Sequence, residues 1–233
     1  MAALLARALA PHPTGTPPAL PETRVQAAAI RALDVAVAGA LLTLLAPVYA
    51  AIAIAVRVDS AGPVLFRQQR CGRERRLITI RKFRTMHCGT TADRHREYVV
   101  GLIRGEPADA PVSRQGLYKL QDDPRVTRVG GVLRRFSLDE LPQLWNVLRG
   151  DMSLVGPRPP IPYEVDCYPP AWLQRLAVKP GLTGLWQVSG RNELTYAQMV
   201  AVDLVYVERR SLWLNLRILA RTGWVVLRGR GAS

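Results

Sequence analysis

Residues 35–56 read VAVAGALLTLLAPVYAAIAIAV, 22 residues from Val35 to Val56 without a charged side chain. As one straight helix they would extend roughly 33 Å, enough to cross the apolar core of a bilayer. Length alone predicts a single span. Two features oppose it. Pro47 falls near the middle, where it removes a helical hydrogen bond and kinks the helix. Both flanks are also basic, with Arg24 and Arg31 before the segment and Arg57, Arg67, Arg70, Arg73, Arg75 and Arg76 after it. Basic flanks mark the cytoplasmic side of a membrane. The sequence therefore predicts a helix that enters the bilayer, breaks near Pro47 and leaves by the same face. Asp34 and Asp59 bracket the segment and are expected at the headgroup level.

Outside this segment the chain is basic and poor in aromatic residues. Its 233 residues carry a net charge of +14 with 6% aromatic content, which implies an anionic partner: a phosphorylated substrate, an acidic membrane surface or a nucleic acid. The concentration of apolar residues in one early segment favours the membrane. Cys71, Cys88 and Cys167 are far apart and odd in number, so neither a disulfide framework nor a zinc site is expected. His12, His87 and His95 have no metal-ligand spacing and read as exposed or loop residues.

Residues 1–24 crowd Pro11, Pro13, Pro17, Pro18 and Pro21 into a short stretch; this is a flexible tail, without the pattern of a signal peptide. Val64 to Gln69 and Leu77 to Phe83 read as a hairpin turning at Cys71-Gly72-Arg73-Glu74. Seven basic residues lie between Arg70 and Arg84 against one acid. They suit a solvated face, anionic lipid or a diphosphate. A helix is expected over 90–104, a loop over 105–131, a short helix over 141–148, extended or turn-rich chain over 150–162, a further helix over 171–177 and turns over 179–184. The stretch 195–228 should be helical, with Trp213 and Trp224 among leucines and arginines; it suits either the core or a membrane interface.

The chemistry concentrates in Ser137-Leu138-Asp139-Glu140-Leu141-Pro142 and the arginines around it, Arg134, Arg135, Arg149 and Arg158. One of two adjacent carboxylates can attack phosphorus while its neighbour holds a divalent cation, and guanidiniums neutralise phosphate oxygens. The tetrapeptide also matches a capping box, with Ser137 as N-cap and Glu140 reaching back; a helix starting at Pro142 is the cheaper alternative. In both cases the carboxylates lie at a helix N-terminus, which also attracts phosphate. Arg158 stands between Pro157 and Pro159, on backbone with little freedom, and Gly190-Arg191-Asn192 is a turn that displays an arginine.

Taken in order, these motifs resemble the bacterial sugar transferases of the monotopic polyprenyl-phosphate phosphoglycosyl transferase family, in its minimal form. The resemblance runs from about Arg31 to the C-terminus. It includes Asp59-Ser60-x-Gly62-Pro63-Val64-x-Phe66-Arg67-Gln68, Lys82-Phe83-Arg84-Thr85-Met86, the stretch Ser137 to Pro159, and Lys179-Pro180-Gly181-Leu182-Thr183-Gly184-Leu185-Trp186-Gln187-Val188-Ser189-Gly190-Arg191-Asn192. It implies an α+β, mostly helical fold: a flexible tail (1–24), a re-entrant membrane helix broken near Pro47 (25–58), and a cytosolic catalytic domain (59–233) with a small β-hairpin and interfacial helices. It places the protein on the cytoplasmic face of the bacterial inner membrane, resting on anionic lipid, and leaves a homodimer open. Its implied partners are a UDP-sugar donor and a polyprenyl phosphate acceptor, with Mg²⁺ as cofactor and no nucleic acid. Asp139 matches the nucleophile that takes the sugar phosphate from the β-phosphate, with release of UMP. Glu140 matches the magnesium ligand. Arg134, Arg158 and Arg191 match diphosphate or nucleotide contacts, and Lys82 and Arg84 are further candidates. The wording around Trp186 to Asn192 and Ser211-Leu212-Trp213 resembles starters of exopolysaccharide and capsule, which points to a hexose-1-phosphate. Where the family often has Ser-Pro at the helix break, this chain has Ala46-Pro47. A non-catalytic assembly factor and a basic nucleic-acid-binding protein remain the competing readings.

Overall fold

The computed structural model describes residues 23–87, 93–105, 124–189 and 194–227. The proline-rich tail up to residue 22, the predicted loop over 106–123, Cys88 and Arg191 lie outside the described residues. The architecture is mostly helical with two small two-stranded sheets.

Two helices in series open the chain. Helix α1 spans Arg24–Leu44, and α2 spans Ala46–Asp59. The break falls at Leu45 (φ −92°, ψ 6°), which puts Pro47 in the first turn of α2. That turn is where proline costs least, because its missing N–H has no helical partner there. In a continuous helix the same ring would collide with the carbonyl of Thr43. Thr43 bends the last turn further: its hydroxyl donates to the Gly39 carbonyl at 3.0 Å, a bond that tilts helices. Helix α1 is long and apolar enough to cross a membrane by length and composition.

Strands β1 (Leu65–Cys71) and β2 (Leu77–Phe83) form the predicted antiparallel hairpin. Helix α3 spans Asp93–Arg104. The expected loop over 105–131 is corrected at its end, because α4 runs from Arg128 to Arg135 and contains the Gly130-Gly131 pair. It is capped by Thr127, whose hydroxyl accepts from the Gly130 N–H. Gly130 lies against the backbone of Thr85, so packing there sets the residue type, and helix propensity does not. A 3-10 helix (Leu138–Gln143) then runs into α5 (Leu144–Arg149). Strand β3 (Ser153–Val155) lies parallel to β4 (Gly181–Thr183). The segment 179–184, expected to be turns, is therefore partly strand. Gly181 carries no side chain because a Cβ there would lie 2.0 Å from the Gly156 nitrogen. Between these strands come the short α6 (Pro162–Asp166) and a second 3-10 helix (Pro170–Ala177). Two long helices close the chain, α7 (Tyr196–Arg209) and α8 (Leu212–Leu227).

The main core gathers Val147, Met152, Val155, Val200, Tyr206 and Ile218. Helix α1 is tied into it by Asp34, which is buried and accepts from the Leu154 N–H at 2.9 Å and the Ser153 hydroxyl at 3.1 Å. The headgroup position expected for Asp34 is thus corrected: the carboxylate satisfies β3 donors that would otherwise be buried unpaired. Arg31 donates to the Val147 and Leu148 carbonyls, both at 2.6 Å, and so caps α5 from α1. Helix α8 has two faces. Leu214 and Ile218 are buried, whereas Trp213 and Trp224 are 62% and 58% exposed, with the Arg217 guanidinium 4.9 Å above the Trp213 ring.

Candidate active site

The acidic pair sits on the 3-10 helix Leu138–Gln143, which crosses β2. Ser137 enters it in the left-handed region (φ 56°, ψ 20°) and its hydroxyl makes no cap. The capping box is therefore corrected, as is the helix start at Pro142: the turn begins at Leu138 and passes through Pro142. Only the backbone half of a cap remains, the Glu140 N–H donating to the Ser137 carbonyl at 3.2 Å. The Glu140 side chain turns to Lys82 instead, with Nζ 2.6 Å from Oε1.

Strand alternation explains how Lys82 gets there. Ile78, Ile80 and Lys82 share one face of β2, and the first two are buried. Lys82 continues that face to the point where the apolar packing ends. The 3-10 helix is anchored underneath by Leu138 and Leu141, which pack with Ile52, Val56, Phe83 and Leu133. It is also held by the Tyr49 hydroxyl, which donates to the Leu141 carbonyl at 2.5 Å. Residues of α2 thus set the height of the carboxylates.

A small, open polar cleft lies beside this pair. Lys82, Glu140, Gln143, Arg158, Arg70 and Gln187 supply its polar lining. Arg70 donates through Nε and Nη2 to the Gln68 carboxamide oxygen and through Nη1 to the Pro159 carbonyl. Burial pulls its guanidinium down to about 10, with the charge of Arg158 adding to the effect, so it remains a cation at neutral pH. Three cations, Arg70, Lys82 and Arg158, and the Glu140 carboxylate around one small polar cleft are suited to a diphosphate.

Of the residues singled out in the sequence, the fold brings Lys82, Glu140 and Arg158 to the cleft, with Asp139 adjacent on the same turn. Arg134 is half-buried at the end of α4, three residues before the left-handed Ser137. Arg84 goes elsewhere. It is buried, and its guanidinium donates to the carbonyls of Val56, Ser60 and Ala61. These are the end of α2 and the residues just after it, carbonyls without helical partners. Asp59 is tied to α4 by the Val129 N–H at 3.0 Å. Arg191 lies outside the described residues.

Sequence reading missed Arg70, Gln143 and Gln187 in the cleft, and the buried Arg175–Asp203 ion pair behind it. A signal for the pair was present: Asp203 is the only charge within Met199 to Val207, and a charge on an otherwise apolar helix face is expected to be buried with a partner.

The sequence profile of one family, described as "Bacterial sugar transferase", matches residues 25–229. The chain belongs to the bacterial sugar transferase family. Among curated relatives, the exopolysaccharide production protein ExoY of Rhizobium meliloti is 42% identical over 202 residues, 87% of each chain. The UDP-galactose-lipid carrier transferase of Erwinia amylovora is also 42% identical, over 87% of this chain but 41% of its own length. The UDP-glucose:undecaprenyl-phosphate glucose-1-phosphate transferase of Caulobacter vibrioides is 42% identical over 82% of this chain and 67% of its own. This bacterial sugar transferase therefore matches nearly all of one relative and the minor part of another. Membership makes it a transferase, which decides against the non-catalytic assembly-factor reading.

Proposed function

We propose that the protein transfers a hexose-1-phosphate from a UDP-sugar to undecaprenyl phosphate, releasing UMP, and so starts a surface polysaccharide. The observation that carries this is the cleft that Lys82, Arg70 and Arg158 line together with Glu140, the neighbour of Asp139 on the same turn. The named activities of the relatives support it.

In this reading the Asp139 carboxylate attacks the β-phosphorus of the donor. The bond from that phosphorus to the bridging oxygen breaks, and UMP leaves with the electron pair. The sugar phosphate stays on Asp139 as an acyl phosphate. An oxygen of undecaprenyl phosphate then attacks the same phosphorus, the bond to Asp139 breaks, and the carboxylate is restored. Arg158, with Lys82 and Arg134, holds and neutralises the diphosphate oxygens, charge placed in advance where the transition state needs it. Arg191 belongs to the same group by its motif.

Glu140 is assigned to Mg²⁺. Among the described residues no cluster of three His, Cys, Asp or Glu surrounds the site. Mg²⁺ suits that donor set, because it commonly takes one or two carboxylates and completes its shell with substrate phosphates and water. Glu140 already draws a cation, the Lys82 ammonium. When bound, the ion would withdraw charge from the transferring phosphate.

The membrane reading rests on the break at Leu45 and on the exposed face of α8. A helix that enters and leaves by the cytoplasmic face of the inner membrane keeps both basic flanks in the cytosol. Trp213, Trp224 and Arg217 then meet the anionic leaflet.

The test is enzyme in nanodiscs with Mg²⁺, undecaprenyl phosphate and a panel of UDP-sugars, following UMP. UMP release that requires the lipid for multiple turnovers, with one hexose donor preferred, is expected. No UMP with any UDP-sugar would overturn the proposal.

A further inference from the structure

The run Pro157-Arg158-Pro159-Pro160 has four carbonyls and, because proline lacks an N–H, a single amide proton, on Arg158. Each of the four carbonyls accepts a hydrogen bond from a distant part of the fold. The Pro157 carbonyl accepts from the Gly181 N–H at 2.9 Å, and the Pro160 carbonyl from the Cys71 N–H at 2.8 Å. The Pro159 carbonyl accepts from Arg70 at 3.0 Å. The Arg158 residue itself is held by one buried pair: Arg175 Nη2 donates to its carbonyl at 3.3 Å and also to the Asp203 carboxylate.

We propose that Arg175 and Asp203 are positioning residues for the transfer, acting as a pair to fix the Arg158 guanidinium in the diphosphate cleft. The inference rests on the reading of Arg158 as a diphosphate contact. Several observations lead to it. Both partners are almost completely buried, and the guanidinium of Arg175 meets the Asp203 carboxylate directly. A buried ion pair is a poor stabiliser compared with apolar residues of the same volume, so stability gives no reason to place one behind the cleft. Orientation does. Arg175 spends its fork on two targets at once, Asp203 and the Arg158 carbonyl through Nη2, while Nη1 donates to the Tyr168 hydroxyl at 2.9 Å. The Tyr168 and Tyr196 hydroxyls are 2.6 Å apart, which locks the fork from behind. Lysine has the charge but not the planar geometry for this bridge. With its backbone held, Arg158 keeps only side-chain freedom. Loss of the pair lets the loop rock, and an ångström-scale misplacement at a reacting centre costs on the order of 100-fold in rate.

The experiment measures kcat and KM for the donor in nanodiscs, with melting temperatures, for wild type, Arg158→Ala, the double variant Arg175→Met with Asp203→Leu, and the triple variant. The double variant removes both charges together and keeps the volume. It is expected to melt close to wild type, to lose about 10- to 100-fold in kcat/KM, and to add nothing to the loss already caused by Arg158→Ala. Wild-type kcat/KM in the folded double variant overturns the proposal, and so does a triple variant in which the two losses multiply. If the double variant does not fold, Arg175→Lys gives the answer: it keeps the charge pair without the fork, and is expected to show the same non-additivity, whereas wild-type kcat/KM in it overturns the proposal. Arg158→Ala at full activity would instead contradict the role of Arg158 itself, a separate outcome visible in the same data.

Discussion

Gly130 and Gly131 are neighbours in α4, and replacing each by alanine should change stability in opposite directions. A Cβ on Gly130 would lie 2.3 Å from the Thr85 carbonyl oxygen and 2.7 Å from its Cα, whereas nothing lies within 4 Å of one on Gly131. At 131 only propensity acts. Alanine in an exposed helix position gains about 0.5–1 kcal/mol over glycine, equivalent to a rise of about 1–4 °C in Tm for a chain of this size. At 130 the same gain is overwhelmed, because the obstacle is backbone and cannot rotate away. Overpacking of this kind costs about 1–3 kcal/mol, so a net loss of about 1–2 kcal/mol and a fall of about 2–8 °C are expected. The clash also separates α4 from the Thr85 backbone, and α4 leads through Arg134 and the left-handed Ser137 to Asp139. Gly130→Ala should therefore lose activity at temperatures where it is still folded, and Gly131→Ala should not. Thermal melts of both variants in the same nanodiscs, with turnover at 25 °C, are the assay. Equal shifts of the same sign would refute the close approach of α4 to the Thr85 backbone.

Three further outcomes follow from the structure. Arg84→Met strips buried carbonyls at the end of α2 of their donor and should cost about 2–4 kcal/mol, seen as a Tm lowered by several degrees, while KM for the donor in the folded enzyme changes little. Burial pushes Asp203 up to about 6, against the opposing pull of Arg175 and the Arg158 N–H. Since Arg175, Arg158 and Tyr168 are the groups that face it, protonation removes the charge that holds Arg175, and kcat/KM should fall as the pH drops through about 6. Stability moves the other way. The native state holds a proton between about 3.8 and 6 that the unfolded chain releases, so this group's contribution is present below that window and lost as the pH rises through it. Wild-type melts compared with Asp203→Asn across the window report the difference. For topology, cysteines placed at Arg24 and Arg67 should both react with a membrane-impermeant maleimide from the cytoplasmic face; labelling from opposite faces would contradict the re-entrant helix.

Much of this was legible in the sequence because local physics decided it. The helix break follows from one proline in an apolar run, and the hairpin from period-two patterning around a glycine turn. The acidic turn stood out because two carboxylates lay among arginines. What sequence reading missed depends on long-range contact. Ser137-x-x-Glu140 satisfies the pattern of a capping box, but Lys82, far away in sequence, offers Glu140 a charged partner. Gly130-Gly131 looks like a loop until the Thr85 backbone is seen beside it. Asp34 looks like an interfacial acid until β3 presents unpaired donors to it. Lys82 and Arg84 are equivalent as sequence, two basic residues on one strand and just beyond it; alternation sends the first to the cleft, and the open carbonyls after α2 take the second.

The central claim is a covalent phospho-sugar on Asp139. The most direct measurement is the intact mass of wild type and Asp139→Asn in nanodiscs with Mg²⁺ and the preferred UDP-sugar, with no lipid acceptor. A sugar-phosphate adduct on wild type alone, discharged when undecaprenyl phosphate is added, is the predicted result. Lipid-linked product formed without any adduct on wild type, or turnover retained by Asp139→Asn, would contradict it.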